Sequence, residues 1–395
     1  YYNGGLRIVA TVDPNVQSVM EGVYEQGYGS QADGFIFPEE VSAEVEKTLE
    51  DGTTVVETEH PQSAMVVIDY NGALKGVAGG IGEKTADLVF NRATGTVRQV
   101  GSTMKPIASY ALAIDGRLAT YSTLLEDSPS QFKNPSRPVT DPETGLPKYD
   151  WPTNYADKIT YQPMAVSSAL AASTNTVAVR LGDRVGVEST FEFLTDTLQI
   201  SSLVREGDYN DMGLSSLVLG GMTHGISPYE LAGAYQMFGN EGQFNPLHCY
   251  EQILDANGNV VLDISEVEGQ EKKAQAISKE AAYIMNRMMW NVLHASGGTA
   301  NGMGTEYLDS VGKTGTTSDD KDRWFVGLTP YYVGAVWWGY DTNEEIQWPA
   351  SARTNPPPMV WKTVMETIQQ DLPEISFPEK PDTVLEAAFC GDTGY

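Results

Sequence analysis

A serine hydroxyl is a poor nucleophile until a neighbour takes its proton, and an amine can do so only while it is neutral. Four places in this 395-residue chain set a serine three residues before a lysine: Ser102/Lys105, Ser130/Lys133, Ser310/Lys313 and Ser318/Lys321. Only Ser102, in GSTMKP, opens a segment that reads as a helix, because the apolar run IASYALAI follows at once. On a helix, positions i and i+3 share a face, so the Lys105 amine can approach the Ser102 hydroxyl. A lysine in a first helical turn opposes the positive end of the helix dipole. Taken alone, the pair is more simply a capped helix carrying a solvated lysine.

Two further motifs supply what that pair lacks. Ser173-Thr174-Asn175 is the chain's one Ser-x-Asn and follows the helical run AVSSALAA; by itself it is an ordinary turn or cap. Lys313-Thr314-Gly315-Thr316-Thr317 is its one Lys-Thr-Gly and sits in a strand-like segment. There Gly315 removes a side chain where something must approach the backbone. Lys313 offers the second cation that would depress a neighbouring amine's pKa, and the Thr314 and Thr316 hydroxyls can bind a carboxylate. An open strand edge can also pair with an extended peptide. The plain alternative is a charged edge that resists aggregation.

The elements that must carry these motifs are legible in outline. LRIVATV reads as a strand, and Asp13-Pro14 caps a helix over NVQSVMEGVYE. Residues 28–62 read as a connector with a short helix near 41–50. AMVVIDY and ALKGVAGG flank Asn71-Gly72 as a hairpin. Residues 127–154, rich in Pro, Ser and Asp, read as a long surface loop, and 160–240 as mostly helical. A second hairpin is expected at 246–264 around Asn257-Gly258. Ser278 caps a long helix ending near Gly297-Gly298. Strands near 308–316, RWFVGLT and YYVGAVWWGY follow, then a helix at about 357–371. Strands therefore open and close the chain while helices fill its middle, an α+β order.

Composition narrows the chemistry. With 25 Lys and Arg against 53 Asp and Glu, the net charge of −28 argues against nucleic acid as a partner. No apolar run is long enough to span a membrane. The chain starts at Tyr1 without an initiator Met or signal peptide, which reads as a trimmed fragment that has lost any anchor. Cys249 and Cys390 fit no metal spacing and are expected as two unpaired thiols. The four histidines are scattered without a zinc pattern. No cofactor or metal is expected. GGIGEKT at 79–85 imitates a phosphate loop, but Glu83 stands where a glycine must precede the lysine. No serine lies in a Gly-x-Ser-x-Gly elbow. Trp324, Trp337 and Trp338 are assigned to the core.

The order Ser-x-x-Lys, Ser-x-Asn, Lys-Thr-Gly is shared by penicillin-binding proteins and class A β-lactamases. Beyond the motifs, the chain resembles the transpeptidase domain of bimodular (class A) penicillin-binding proteins over nearly its whole length. LRIVATVDPNVQ looks like the family's linker, and NRATGTVRQVGSTMKP resembles the approach to its nucleophile. LVLGGMTHGISPYELAGAYQMFGNEGQFNP is similar to a stretch between the second and third motifs. KTGTTSDDKDRWFVGLTP matches the third motif and the next strand, and CGDTGY looks like the start of a C-terminal extension.

The resemblance implies a penicillin-binding/serine β-lactamase-like fold, a central antiparallel sheet flanked by helices with a mostly helical subdomain. It divides the chain into a linker region (1–60), a transpeptidase domain (61–375, with the helical part at about 100–300 inserted between sheet strands) and the start of an extension (376–395). It implies a D,D-transpeptidase that crosslinks peptidoglycan stem peptides and is acylated by β-lactams. Ser102 would be the nucleophile and Lys105 its base. Ser173 would relay a proton, Asn175 would hold the substrate amide and Lys105, and Lys313 would complete the catalytic set. Thr314, Gly315, Thr316 and Thr317 would bind substrate, with the backbone N–H groups of Ser102 and Thr316 as oxyanion hole. A membrane anchor and glycosyltransferase domain would belong to the full-length protein, at the outer face of the bacterial cytoplasmic membrane. Ser-Thr-Asn departs from the Ser-Asp-Asn of class A β-lactamases. Glu188 and Glu192, in GVESTFEFL, make no convincing counterpart of their deacylating glutamate. A D,D-carboxypeptidase or β-lactamase on this fold, or a β-lactam-sensing receptor domain, are the alternatives.

Overall fold

The computed structural model describes residues 5–49, 51–129, 151–267, 269–270, 273–349, 354–390 and 394. Ser130, Lys133 and most of the expected 127–154 loop lie outside these residues, as does most of CGDTGY. Among the described residues the largest sheet has five strands, all antiparallel. Their order is Val311–Thr316, Asp322–Leu328, Tyr332–Gly339, Gln62–Asp69 and Leu74–Ala78. Val311–Thr316, which carries Lys-Thr-Gly, is therefore an edge strand. The hairpin expected around Asn71-Gly72 is present, with Gly72 at φ 87°.

Helices cover both faces of the sheet, which is why its three inner strands read as largely apolar runs rather than alternating ones. Along Gln62–Asp69, Ala64, Val66 and Ile68 enter one core while Met65 and Val67 enter the other. The first core is closed by the helical middle of the chain: residues 101–115, Val166–Ala171, Asn175–Val185, Leu214–Leu219, Pro228–Tyr235 and much of Lys279–His294. The second is closed chiefly by Pro14–Glu25 and Pro356–Gln369. Asp13 caps the former helix, its carboxylate accepting from Asn15 and Val16 N–H. Trp324, Trp337 and Trp338 are all buried in these cores.

The segment near 41–50 is not a helix. Ala43–Thr48 is a strand that pairs antiparallel with Thr54–Glu59. Its Glu and Lys content suits a helix, but Gly52, at φ 85° after Asp51, turns the chain back onto the β-branched run TVVETE. The hairpin around Asn257-Gly258 forms as Tyr250–Leu254 and Val260–Asp263, and Arg7–Ala10 joins it as a third strand. Cys249 and Cys390 both lie exposed.

One packing contact fixes a helix against the sheet. Gly327 and Gly334 face each other on adjacent strands and leave a groove for the Trp361 ring. A Cβ at Gly327 would fall 2.3 Å from that ring, and Trp361 Nε1 donates to Gly327 O at 3.0 Å. Truncation by Trp361→Ala should cost about 3–5 kcal/mol, the range for losing a buried aromatic. Urea unfolding measures this, and a change below about 1 kcal/mol would show that the groove collapses around the loss.

Candidate active site

Residues 101–115 form one helical segment whose pitch changes along its length. It starts as a 3₁₀ turn, Gly101–Thr103, widens to a π turn at Pro106–Tyr110 and ends as α-helix, Ala111–Asp115. Pro106 has no N–H to give, and Ala111 N–H reaches back five residues to Pro106 O. Gly101 at φ 55° begins the segment in a backbone conformation that other residues rarely adopt. The turn that bears Ser102 is pinned from several sides. Tyr235 Oη donates to Thr103 O at 2.5 Å, Trp324 Nε1 to Gln99 O at 2.8 Å, and Arg98 pairs with Ile226 through both backbone groups.

Missing side chains bring this turn against the edge strand. A Cβ on Gly101 would lie 2.3 Å from Thr316 O, and one on Gly315 would lie 2.4 Å from Val100 O. Register decides which backbone groups of the strand face the turn. Thr317 N–H donates to Asp322 O across the ladder, and hydrogen-bonded pairs alternate in an antiparallel ladder. Thr314 and Thr316 therefore aim their N–H and C=O at the open edge. Thr316 N–H and the Ser102 turn thus border the same cleft.

Lys105 is fully buried, which accounts for a lysine one turn inside this segment: its amine faces protein, not solvent. Its Nζ donates to Ser173 O at 2.5 Å and to Asn175 Oδ1 at 2.6 Å, and lies 3.2 Å from Ser173 Oγ. Lys313, also fully buried, donates to the same Ser173 Oγ at 2.9 Å and to Thr314 O at 2.9 Å. Ser173 can serve both because its backbone is left-handed, φ 59°, an uncommon conformation for a non-glycine residue and one that recurs at functional sites. Ser102 is half-buried, and its hydroxyl makes no hydrogen bond among the described residues. The structure thus joins Lys105, Ser173, Asn175 and Lys313 directly and sets Ser102 one turn before Lys105.

Neither of the other two described Ser-x-x-Lys pairs is built this way. Ser310 is buried and accepts from Thr305 N–H, Ser318 lies in the exposed turn after the edge strand, and Ser130 lies outside the described residues. Of the threonines, Thr316 is half-buried at the edge. Thr314 is bonded to the Thr299 hydroxyl at 2.6 Å, and Thr317 accepts from Asp322 N–H at 2.9 Å. A cleft of about 180 Å³ opens beside the cluster, lined in part by Gly101, Trp151, Thr153, Asn175, Gly220 and Thr317. No carboxylate side chain lines it among the described residues. Glu188 and Glu192 are both exposed on the helix Val187–Glu192.

Residues that sequence reasoning passed over complete the frame. Thr299 donates its N–H to Ala171 O at 3.1 Å and so ties the Ser173 turn to the edge strand through Thr314. The Asp322 carboxylate, nearly buried, accepts from Arg98 and Trp337 and joins the nucleophile segment to the far end of Lys-Thr-Gly. Thr299 follows two glycines and had the signature of a helix end only. Asp322 reads as one more acid in an acidic chain.

Burial drives both amines toward the neutral form. Desolvation, with a smaller contribution from the Lys313 charge, pulls Lys105 well below the ordinary lysine range. Desolvation brings Lys313 down from 10.5 to about 7. Between those two values the unfolded chain holds the proton and the folded chain does not. Stability therefore rises with pH across that window and levels off above it. Lys313→Met should flatten the rise, as read by urea unfolding of both proteins between about pH 7 and pH 10.5. Parallel slopes would contradict a buried, desolvated Lys313.

The comparisons agree with this architecture. Residues 64–366 match the penicillin binding protein transpeptidase domain family. Penicillin-binding protein 1A of Clostridium botulinum (strain Langeland) is 31% identical over 392 residues, 98% of this chain and 42% of that protein. Penicillin-binding protein 4 of Bacillus subtilis is 29% identical over 83% of this chain and 50% of its own length. The chain thus spans about half or less of the curated relatives it matches. Among solved structures, the PonA1 protein of Mycobacterium tuberculosis in complex with penicillin V aligns with a TM-score of 0.70 at 22% identity. That alignment covers 96% of this chain and 90% of the other. Penicillin-binding protein 1A of Haemophilus influenzae aligns at 0.72 and 22% identity, over 99% of this chain and 70% of the other. With an α+β fold built on a five-stranded antiparallel sheet and this relationship over nearly its full length, the chain belongs to the penicillin-binding protein transpeptidase domain family, as a homologue of the class A protein 1A group.

Proposed function

We propose that this domain is a serine D,D-transpeptidase that crosslinks peptidoglycan stem peptides and is acylated by β-lactams. The observation that carries the reading is the set of partners around Lys105. Two of them, Ser173 O and Asn175 Oδ1, are carbonyl oxygens that can only accept. A neutral amine has two N–H donors and one lone pair. With both donors held by carbonyls, the lone pair is left for a hydroxyl, which is the arrangement a base needs.

In this mechanism the Ser102 Oγ attacks the carbonyl of the penultimate D-Ala, and its proton passes to Lys105. The oxyanion sits between the backbone N–H groups of Ser102 and Thr316. Preorganised donors of this kind are worth roughly 10²–10³ in rate each. Ser173, held by Lys313, passes a proton to the departing nitrogen as the C–N bond to the terminal D-Ala breaks. Asn175 holds the substrate amide together with Lys105. An amine of a second stem peptide then attacks the ester and loses a proton, and Ser102 regains its hydroxyl. Lys313 with the Thr314–Thr317 strand receives the extended donor peptide, its carboxylate meeting Thr316 at the open edge. A β-lactam follows the first step, but its leaving nitrogen stays tethered through the opened ring. With no carboxylate lining the cleft among the described residues to activate water, the acyl-enzyme persists. The substrates place the reaction outside the bacterial cytoplasmic membrane. Among the described residues no helix is long and apolar enough to cross one.

Incubation with a penicillin, followed by intact mass and peptide mapping, tests the reading. A stable one-to-one adduct on Ser102 is expected, and it should be absent in Ser102→Ala. Rapid consumption of the drug without an adduct would point to a β-lactamase, and an untouched drug would overturn the nucleophile assignment. Lys105→Ala should slow acylation by at least roughly 10²–10⁴, the contribution of a positioned general base. Near-wild-type acylation by that variant would remove Lys105 from the role. Clean acylation with no transfer of any peptide donor to any amine would favour a sensor.

A further inference from the structure

Asp127 has no part in the mechanism above, yet it is almost fully buried behind the cleft wall formed by Thr153 and Asn175. Its carboxylate accepts four hydrogen bonds. Oδ1 takes Asn154 Nδ2 at 2.7 Å and Thr176 Oγ1 at 2.6 Å, and Oδ2 takes Thr160 N–H at 2.8 Å and Thr160 Oγ1 at 2.9 Å. Burial would raise its pKa, but the bonds from Thr176, Thr160 and Asn154 outweigh that and hold it below the ordinary carboxylate value. It is therefore an acceptor only, and that property has a consequence for Asn154.

An amide has a donor end and an acceptor end, and Asp127 dictates which end of Asn154 faces which way. The Asn154 NH₂ must turn to Asp127, where it also reaches Lys158 O at 3.1 Å. Its Oδ1 is then left to accept from the N–H groups of Asn175 at 2.9 Å and Thr176 at 3.3 Å. Those are orphan donors at the start of helix Asn175–Val185, whose own N-cap residue, Thr174, makes no capping bond with its side chain. The adjacent Thr153 O accepts from Asn175 Nδ2 at 2.7 Å, which turns Asn175 Oδ1 toward Lys105.

We propose that Asp127 is a positioning residue for the proposed transpeptidase site: by fixing the polarity of the Asn154 amide it caps the helix at Asn175 and so aims Asn175 at Lys105. The inference rests on the transpeptidase reading for its effect on rate, but the capping itself is independent of it. The device works through donor and acceptor polarity, so it can be broken and rebuilt. In Asp127→Asn the new NH₂ must face either the Thr160 N–H or the Asn154 NH₂. Relief by flipping Asn154 would set an NH₂ against the N–H groups of Asn175 and Thr176. Exchanging the two side chains, Asp127→Asn with Asn154→Asp, again sets donors opposite acceptors. The new amide donates to the new carboxylate, and the carboxylate caps Asn175 and Thr176. The Thr176 hydroxyl rotates to accept, and the one unfavourable contact is the exposed one to Lys158 O, where a carboxylate oxygen replaces the donor and solvent screens the repulsion.

Two readouts on the whole chain decide the matter: the rate of Ser102 acylation by a penicillin, and amide hydrogen exchange of the peptide containing Asn175 and Thr176. Asp127→Asn should slow acylation roughly 10- to 100-fold, the scale on which partners orienting a reacting ligand act, and should speed exchange there. The exchanged pair should recover most of both. Wild-type acylation and exchange in Asp127→Asn would overturn the proposal. So would a paired variant no better than the single one, because general loss of packing would not be mended by swapping polarity. Absence of acylation in the wild-type protein would sink the transpeptidase reading instead, and the exchange pattern alone would then decide whether Asp127 sets the cap.

Discussion

Two lysine amines end on one serine oxygen, and both are buried. Two ammonium groups cannot share that position at reasonable cost, since desolvation and mutual repulsion both oppose the charged form. Neutrality is therefore imposed on Lys105 by its surroundings, and the rest of the site follows from holding those surroundings in place. Ser173 must present a carbonyl and a hydroxyl to the same small volume, which its left-handed backbone allows. Asn175 must present its oxygen rather than its nitrogen, which Thr153 O secures.

The fold serves this by bringing four separate chain segments to one edge of a sheet. The edge strand brings Lys313, the mixed-pitch helix brings Ser102 and Lys105, and the turn between two helices brings Ser173 and Asn175. Asp127, Asn154 and Thr160 stand behind that turn. Close approach depends on atoms that are missing: Gly101 and Gly315 let the nucleophile turn lie against the strand at distances no Cβ would permit. The sheet in turn is held by helices on both faces, and the Trp361 ring lodged between Gly327 and Gly334 shows the same device used for stability instead of chemistry.

Much of this was legible from residue order. The strand runs, the hairpin at Asn71-Gly72, the helix caps at Asp13 and Ser278 and the three motifs each rest on interactions within a few residues, and all appear where the pattern put them. The strand at 43–48 runs against its local composition, because Glu and Lys favour helices whereas pairing with 54–59 is a contact made across a turn. The frame residues were invisible for a related reason. Thr299, Asp322 and Asp127 are ordinary residue types whose partners lie far away in sequence, and nothing nearby marks them.

The chain's sequence by itself determined the inventory and its order: one serine poised at a helical start, one Ser-x-Asn, one Lys-Thr-Gly, and inner sheet strands too apolar to be exposed on either face. These are properties of composition and short-range spacing. Only the tertiary structure decided that Lys105 is stripped of solvent, that Lys313 reaches the same oxygen, and that the Thr316 N–H faces the nucleophile turn instead of the ladder. Each of those depends on burial, register or a long-range contact, and a pKa or a hydrogen-bond direction does not exist until the distant partner has arrived.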